Sequence, residues 1–340
     1  KIFFNRKTIH SIPTNREIFF KKIYPYQNLP NKGIFKAEMT QIISDINLAA
    51  SEILKGNIVG IPTETVYGLG ANALDSDAVI KIFEAKDRPR FNPLIVHLLN
   101  KDNLEEFVKE IPDNFLKLYE KFSPGPITYV LKKKKIISDI VTAGNETVAV
   151  RFPSHKVFRE LLEIVKVPVA APSANRFGRI SPTNAEDVVK EMDGKLKYVL
   201  EGGSSNVGIE STVVDLSGEL PVVLRHGYIS EEEITLVIGR TGDRKSDKIN
   251  SPGMLLNHYA PHTPLVIVEH LSDLDRFEGK NYGILDLNKY SDLKEAAKHL
   301  FSDLRRLDEK GFEMILAAKV KDEGIGIAIN DRLEKARFKN

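Results

Sequence analysis

Three cations fall within five residues at Lys86, Arg88 and Arg90, in the segment KDRPRFNPL, where Pro89 and Pro93 hold the backbone away from continuous helix. Cations at that density in a loop suit a polyanion. A guanidinium grips carboxylate or phosphate through two parallel hydrogen bonds while an ammonium acts as a point charge, so a Lys-x-Arg pair can divide a triphosphate and a smaller carboxylate between them. The bland alternative is a solvated charged loop. Upstream, 61-IPTETVYGLG-70 sets two threonines and two glycines just past a short β-branched run, the position where open α/β sheets bind ligands; the alternative there is a tight turn around a core tyrosine. Downstream, Ser173 and Asn175 stand in a run of small residues, AAPSAN, that permits close backbone approach, and Ser181 belongs to RISPT, which reads as a helix N-cap region whose free N–H groups favour an anion. The loops GIEST (208–212) and LRHG (224–227) complete a set expected to converge on one sheet edge.

The elements needed to position these loops follow from periodicity. Apolar spacing predicts a helix from Thr40 to Leu54, ended by Lys55-Gly56-Asn57, then a buried strand over Ile58–Ile61. The segment after it, 63–70, reads as strand-to-loop. Further helices are predicted at 76–85, 104–108, 113–121, 157–165 and 184–191, alternating with strands at 93–98, 127–131, 147–151, 167–171, 198–201, 212–215 and 222–225. Interleaved strands and helices predict one α/β domain with a twisted mixed sheet over 38–240. Residues 241–250, TGDRKSDKIN, have linker composition, and the punctuated segment to His262 extends the linker to 263. From 264 to 340 a second pattern (strands 265–269, 282–287 and 314–319, helices 292–309 and 327–336) predicts a small, parallel, doubly wound Rossmann-like unit.

Composition narrows the chemistry. The chain of 340 residues is 42% hydrophobic and 28% charged, which fits two globular domains and excludes wholesale disorder. No apolar run reaches the roughly 18 residues of a membrane span, so a soluble, cytoplasmic protein is expected. Cysteine is absent, which removes disulfides, thiolate metal sites and every cysteine nucleophile. No histidine pair has a carboxylate partner at metal-ligand spacing, so no resident metal is expected. Residues 1–37 carry eight basic side chains against Glu17; the overall charge of +2 leaves −5 on the other 303 residues. That segment reads as an added basic arm, or as a boundary artefact, in preference to a targeting peptide.

The motifs PTETVYGLG, KDRPRFNPLIVH, FSPGPIT, VAVRFPSH, PVAAPSAN, SPT, GIESTVVD, VVLRHG and SPGMLLNHYAP, in this order and spacing, resemble the Sua5/YrdC family of threonylcarbamoyl-AMP synthases in its two-domain form. The resemblance covers about 38–340. Departures are small: Asp87 stands where many relatives carry a small residue, Arg90 and Phe91 fill a variable stretch, and residues 1–37 have no counterpart. The resemblance implies that L-threonine and bicarbonate give N-carboxythreonine, whose carbamate oxygen attacks the α-phosphate of ATP to leave threonylcarbamoyl-AMP and pyrophosphate. A further enzyme would pass the threonylcarbamoyl group to adenosine 37 of tRNA. It implies Lys86 and Arg88 as catalytic residues, Thr63, Arg88, His97 and Ser211 for threonine, and Lys86, Arg90, Thr142, Ser173, Asn175, Ser181, Arg225 and Tyr259 for ATP, with Mg²⁺ arriving on the triphosphate. Direct contact with tRNA or a transferase partner is left open.

Two rivals are weighed beside it. A nucleic-acid-binding module would use the basic arm, but the net negative body argues against it. A carbamoyl-transfer domain acting on another acceptor would lack the SPGM…HYAP linker. The linker itself, rather than the body of the C-terminal domain, is expected to complete the active site, with Tyr259 near the nucleotide phosphates as part of a lid.

Overall fold

The computed structural model describes residues 39–89, 92–242, 258–268 and 274–337. The basic arm, Arg90, Phe91 and linker residues 243–257 lie outside the described residues, as does the expectation for each. Ten strands form one mixed sheet: β1 (Gln41–Ile43), β2 (Val59–Ile61), β3 (Gly68–Asn72), β4 (Ile95–His97), β5 (Ile127–Lys132), β6 (Thr147–Arg151), β7 (Val169–Ala170), β8 (Tyr198–Leu200), β9 (Thr212–Asp215) and β10 (Val222–Arg225). Their order is β1-β8-β2-β3-β7-β4-β6-β5-β9-β10. Pairs β1/β8, β2/β8, β4/β6 and β5/β9 are parallel and the others antiparallel.

Helices cover both faces. Ile46–Leu54 and Lys156–Val165 pack together and bury Ala50, Ile53, Phe158 and Leu162 against Val59, Ile61 and Val169. On the opposite face, Ser76–Lys86, Asp113–Phe122 and Ala185–Met192 enclose the larger core, with Ile82, Phe115 and Val188 fully buried. Carboxylate caps start two of these helices: Asp45 accepts the N–H groups of Asn47 and Leu48, and Asp75 those of Asp77 and Ala78.

Two sequence expectations are corrected here. The helix predicted from Thr40 begins at Ile46, because Gln41–Ile43 forms β1, paired in register with Tyr198–Leu200. Helical spacing of Ile42, Ile43 and Ile46 was a coincidence that a partner strand more than 150 residues away overrode. The loop expected over 63–70 is a loop only to Tyr67; Gly68 and Gly70 lie inside β3. Neighbours crowd both: a Cβ on Gly70 would come within 2.0 Å of the tip of the Ile61 side chain, and one on Gly68 within 3.1 Å of Ala171 Cβ.

In the C-terminal domain, β11 (Leu265–Val268), β12 (Tyr282–Leu285) and β13 (Met314–Ala318) form a parallel sheet in the order β11-β13-β12. The parallel α/β expectation holds, but the doubly wound one needs correction. Helices Leu293–Asp308 and Ile325–Ala336 share the face of Ile315 and Ala317, and among the described residues the other face is covered by the 3₁₀ turn Leu274–Phe277. The first face's core is common property: Val66, Ile180, Val207 and Ile209 of the larger domain and Tyr259 of the linker pack into it. Gly208 shows how tight the seam is. It sits at φ +78°, and a Cβ there would lie 2.4 Å from the backbone of Lys298.

Candidate functional site

The loop behind the Lys-x-Arg pair is shaped by Asp87, which ends helix Ser76–Lys86 in the left-handed conformation at φ 52°. That turn sends Lys86 and Arg88 both inward, to 1% and 6% exposure. Asp tolerates left-handed backbone better than most side chains, so the departure seen in the sequence fits its position. The Lys86 ammonium donates to the carbonyls of Ser173 and of Asn175, the latter at 2.5 Å, and so ties the helix end to the small-residue loop. Burial, with Arg88 adding repulsion, drives the Lys86 pKa well below the usual lysine range. Burial and then Arg225 lower the Arg88 pKa to about 9. Arg88 Nη2 donates to the Pro93 carbonyl at 3.1 Å, while its Nε has no partner among the described residues.

These loops enclose a narrow cavity lined by Thr63, Arg88, His97, Ser173, Arg225 and Tyr259, six of the expected residues, together with Thr65, Arg151, Glu210 and His258. Its free volume is about 40 Å³, room for about three water molecules. Lys86, Ser181 and Ser211 stand one contact behind the wall, and Asn175 stands behind Lys86, giving its amide to the Arg176 and Arg179 carbonyls. Ser181 Oγ donates to Glu210 Oε1 at 2.6 Å, and Arg225 donates to the carbonyl and the hydroxyl of Ser211. Lys86 also borders a wider cleft of about 590 Å³ with Arg176, Arg179, Lys190 and His262. Thr142 is not brought to either cavity: it closes the short helix Asp139–Thr142, and its hydroxyl is buried without a partner among the described residues.

Several groups are committed in ways the sequence did not reveal. The Thr63 hydroxyl donates to the Val66 carbonyl at 2.6 Å and receives the N–H groups of Thr65 and Val66, so it shapes the turn as well as facing the cavity. His97 sits at the end of β4 with Nδ1 3.3 Å from the Val169 carbonyl and its ring tilted on Phe158. Burial, and Arg151 beside it, push its pKa down to about 3, so the imidazole is neutral at ordinary pH. Arg151 closes β6 and approaches Glu64 to 2.7 Å, both side chains being almost fully buried. Arg151, Glu64, Glu210 and His258 were absent from the expected set. All four stand inside motifs quoted from the sequence, but nothing in a motif says that a given side chain is buried.

Tyr259 enters from the linker at 0% exposure and in the left-handed conformation at φ 66°, costly for an aromatic residue by about 1–2 kcal/mol. Packing enforces it. The ring stacks on Phe301 at 5.3 Å and meets His258 edge-on at 4.0 Å, while Ala260 N–H donates to the Gly178 carbonyl at 2.8 Å. Phe301 belongs to the C-terminal domain, so the linker reaches the cavity held by that domain's body. The expectation that the linker alone completes the site is revised accordingly.

The polar atoms lack partners here in a telling pattern. Among the described residues, Arg88 Nε, Arg151 Nε and Nη2, both Glu64 carboxylate oxygens, His258 Nδ1 and the Tyr259 hydroxyl are buried with no hydrogen-bond partner, on residues that line this cavity or pair with its lining. Native proteins leave few such atoms, so a cluster of them with an excess of cations marks a place for a polar, anionic ligand.

Comparisons with known proteins agree with this geometry. Residues 51–227 match the family model described as Telomere recombination, which groups Sua5, YciO and YrdC, and residues 229–337 match the one described as Threonylcarbamoyl-AMP synthase, C-terminal domain. The Threonylcarbamoyl-AMP synthase of Pyrococcus abyssi is 41% identical over 86% of this chain and 93% of its own length; that of Bacillus subtilis is 39% identical over 85% and 91%. The crystal structure of P. abyssi Sua5 complexed with L-threonine superposes with a TM-score of 0.82 at 40% identity, covering 88% of this chain and 98% of that one.

Proposed function

The chain belongs to the Sua5/YrdC family of threonylcarbamoyl-AMP synthases, and on that premise we propose that it joins L-threonine, bicarbonate and ATP into threonylcarbamoyl-AMP with release of pyrophosphate. The observation that carries the reading is the convergence of Arg88, Arg151 and Arg225, with Lys86 just behind, on one cavity under Tyr259. Threonine first takes up bicarbonate at its amine, giving a carbamate and water. A carbamate oxygen then attacks the α-phosphorus in line, the bond to the bridging oxygen breaks, and pyrophosphate leaves with that electron pair. Phosphoryl chemistry of this kind needs positioned positive charge more than a strong base.

The residues divide as follows. Arg88 takes the threonine carboxylate as a bidentate partner, near Thr63, His97 and Ser211. Lys86, Ser173, Asn175, Ser181, Arg225 and Tyr259 surround the nucleotide, and Arg90 is retained as an ATP contact from its motif alone; Thr142 is the weakest of the proposed ATP contacts, since it lines neither cavity. Neutral His97 accepts or donates a hydrogen bond without adding charge. Among the described residues no three His, Asp or Glu side chains converge as metal ligands, so the ion of this reaction, Mg²⁺, is taken to enter on the triphosphate's own oxygens.

Tyr259, buried over the narrow cavity, serves as its cover and keeps water from the labile product. The product then serves threonylcarbamoylation of adenosine 37 in tRNA through a second enzyme in the cytoplasm. Among the described residues, no helix is long and apolar enough to cross a membrane. Pyrophosphate release from ATP, assayed with and without L-threonine and bicarbonate, tests the reading; release indifferent to both would refute it. Serine should replace threonine better than valine does, because valine leaves buried polar groups unpaired.

A further inference from the structure

Arg332 lies in helix Ile325–Ala336 of the C-terminal domain and is the largest fully buried side chain among the described residues, at 1% exposure. Its Nε is 3.2 Å from Glu210 Oε2, its Nη1 donates to the His226 carbonyl at 2.6 Å, and its guanidinium carbon lies 5.6 Å from the centre of the Tyr259 ring. These three partners belong to the cavity described above or adjoin it, while Nη1 also lies 3.3 Å from the Ala328 carbonyl and from Asp331 Oδ2 on its own helix. Glu210 and Tyr259 line it, and His226 follows Arg225, which does. The other Glu210 oxygen accepts from Ser181, so both ends of that carboxylate are fixed.

A charge at this depth is poor glue. The surrounding seam is already apolar, through Val66, Ile209 and Phe301, and an apolar side chain in place of a buried ion pair commonly holds a protein as well or better. What an apolar residue could not do is keep Glu210 ionised and aimed. We propose that Arg332 is a positioning residue of the adenylate-forming site: it holds the Glu210 carboxylate and the Tyr259 ring in place, so that the C-terminal domain supports from behind a cavity walled by the larger domain and the linker. The proposal rests on the functional reading above.

The electrostatics support the geometry. Burial acts to raise the Glu210 pKa, but the Arg332 and Arg225 guanidiniums and the Ser181 hydroxyl together hold it below the ordinary carboxylate value; the Tyr259 phenol, itself pushed up by burial, faces the same group. Without Arg332 the burial effect gains, and Glu210 takes a proton nearer neutral pH.

The test uses the full chain, with threonine- and bicarbonate-dependent pyrophosphate release measured for Arg332→Met, Arg332→Lys and the double variant Arg332→Met with Glu210→Gln. Rates are expressed as ratios to the unsubstituted chain between about pH 6 and 8, so that ionisation of the substrates cancels. Arg332→Met should lose about 10-fold or more, as misplaced site groups do, and its ratio should fall further as pH drops. In the double variant, with no carboxylate to titrate, the ratio should be flat with pH. Arg332→Lys keeps the charge but cannot reach Glu210 and the His226 carbonyl together, so it should fall several-fold without a pH slope. Ratios near one at every pH, with only the melting temperature lowered, would overturn the proposal and leave Arg332 a docking residue. If Arg332→Met does not fold, Arg332→Lys decides alone, and full activity in it counts against the proposal. Failure of the unsubstituted chain to release pyrophosphate would instead strike the functional reading itself.

Discussion

Two buried carboxylates flank the cavity, and their counter-ions come from different places. Glu64, in the loop between β2 and β3, meets Arg151 at the end of β6, so the pair is internal to the larger domain. Glu210, in the loop before β9, meets Arg332 from the C-terminal domain. The first pair lies wholly within the ten-stranded part of the chain; the second joins that part to helix Ile325–Ala336. A self-contained wall gives robustness, whereas a shared one makes assembly of the chain a condition for chemistry.

Truncation is the harshest way to break that contrast. A chain ending at Arg240 loses Tyr259 and Arg332 together, and one ending at His262 keeps Tyr259 but strips away Phe301 and Arg332, on which its ring rests. Both should lose more than ~100-fold in pyrophosphate release while keeping the larger domain's circular dichroism. Substantial recovery in the longer truncation would mean that the C-terminal body is only a scaffold.

Within the self-contained wall, Arg88→Ala should cost about 100-fold in turnover with the fold intact, since it removes a positioned charge and little core volume. Lys86→Ala should behave similarly, though its ties to the Ser173 and Asn175 carbonyls add a structural loss. An unchanged spectrum with surviving turnover would dismiss the anion site.

The two pairs should also differ in how they unfold. Arg151→Met leaves Glu64 buried and unpaired, at about 3 kcal/mol by urea denaturation in a single transition. Arg332→Met should cost a comparable amount but split the transition in two, because it loosens the seam between domains; coincident transitions would contradict a shared wall.

Acid should sharpen the comparison. His97 has a folded pKa of about 3 against an ordinary 6.5, and burial likewise lowers His155 and His258. The folded state therefore binds fewer protons, so this stability is full above pH 6.5 and drains away as pH falls towards 3. Glu210, held below 4.5, adds stability present above that value and lost below its lowered pKa. Urea midpoints between about pH 7 and 5 should thus fall, and His97→Gln should flatten the slope by about one group's share, up to roughly 1.4 kcal/mol per pH unit. An unaltered slope would place a charged imidazole in the folded chain.

The smallest effect is expected at the rim of the seam, where Lys190 meets Glu309 at 2.6 Å with both side chains about half exposed. Lys190→Ala should change stability by less than about 1 kcal/mol. A larger loss would shift the weight of docking from the apolar seam to its exposed rim.

Much of the molecule was legible in the residues alone, and the legible part is local. Alternating periodicity placed most helices and strands within a residue or two, and the loops bearing Lys86 and Arg88, Ser173, Arg225 and Tyr259 do meet. Those loops are legible because their composition is set by what each must do on its own: turn sharply, carry charge, approach a ligand. Tertiary structure decided the rest. Gln41–Ile43 became a strand because Tyr198–Leu200 lay beside it, and Gly70 proved to be a packing glycine because Ile61 left no room. Arg332, on an amphipathic helix among Asp331, Glu334 and Lys335, has no mark in the sequence to separate it from a solvated arginine. Burial of a charge is a property of what surrounds it, and those surroundings come from Glu210, His226 and Tyr259, between 73 and 122 residues away along the chain.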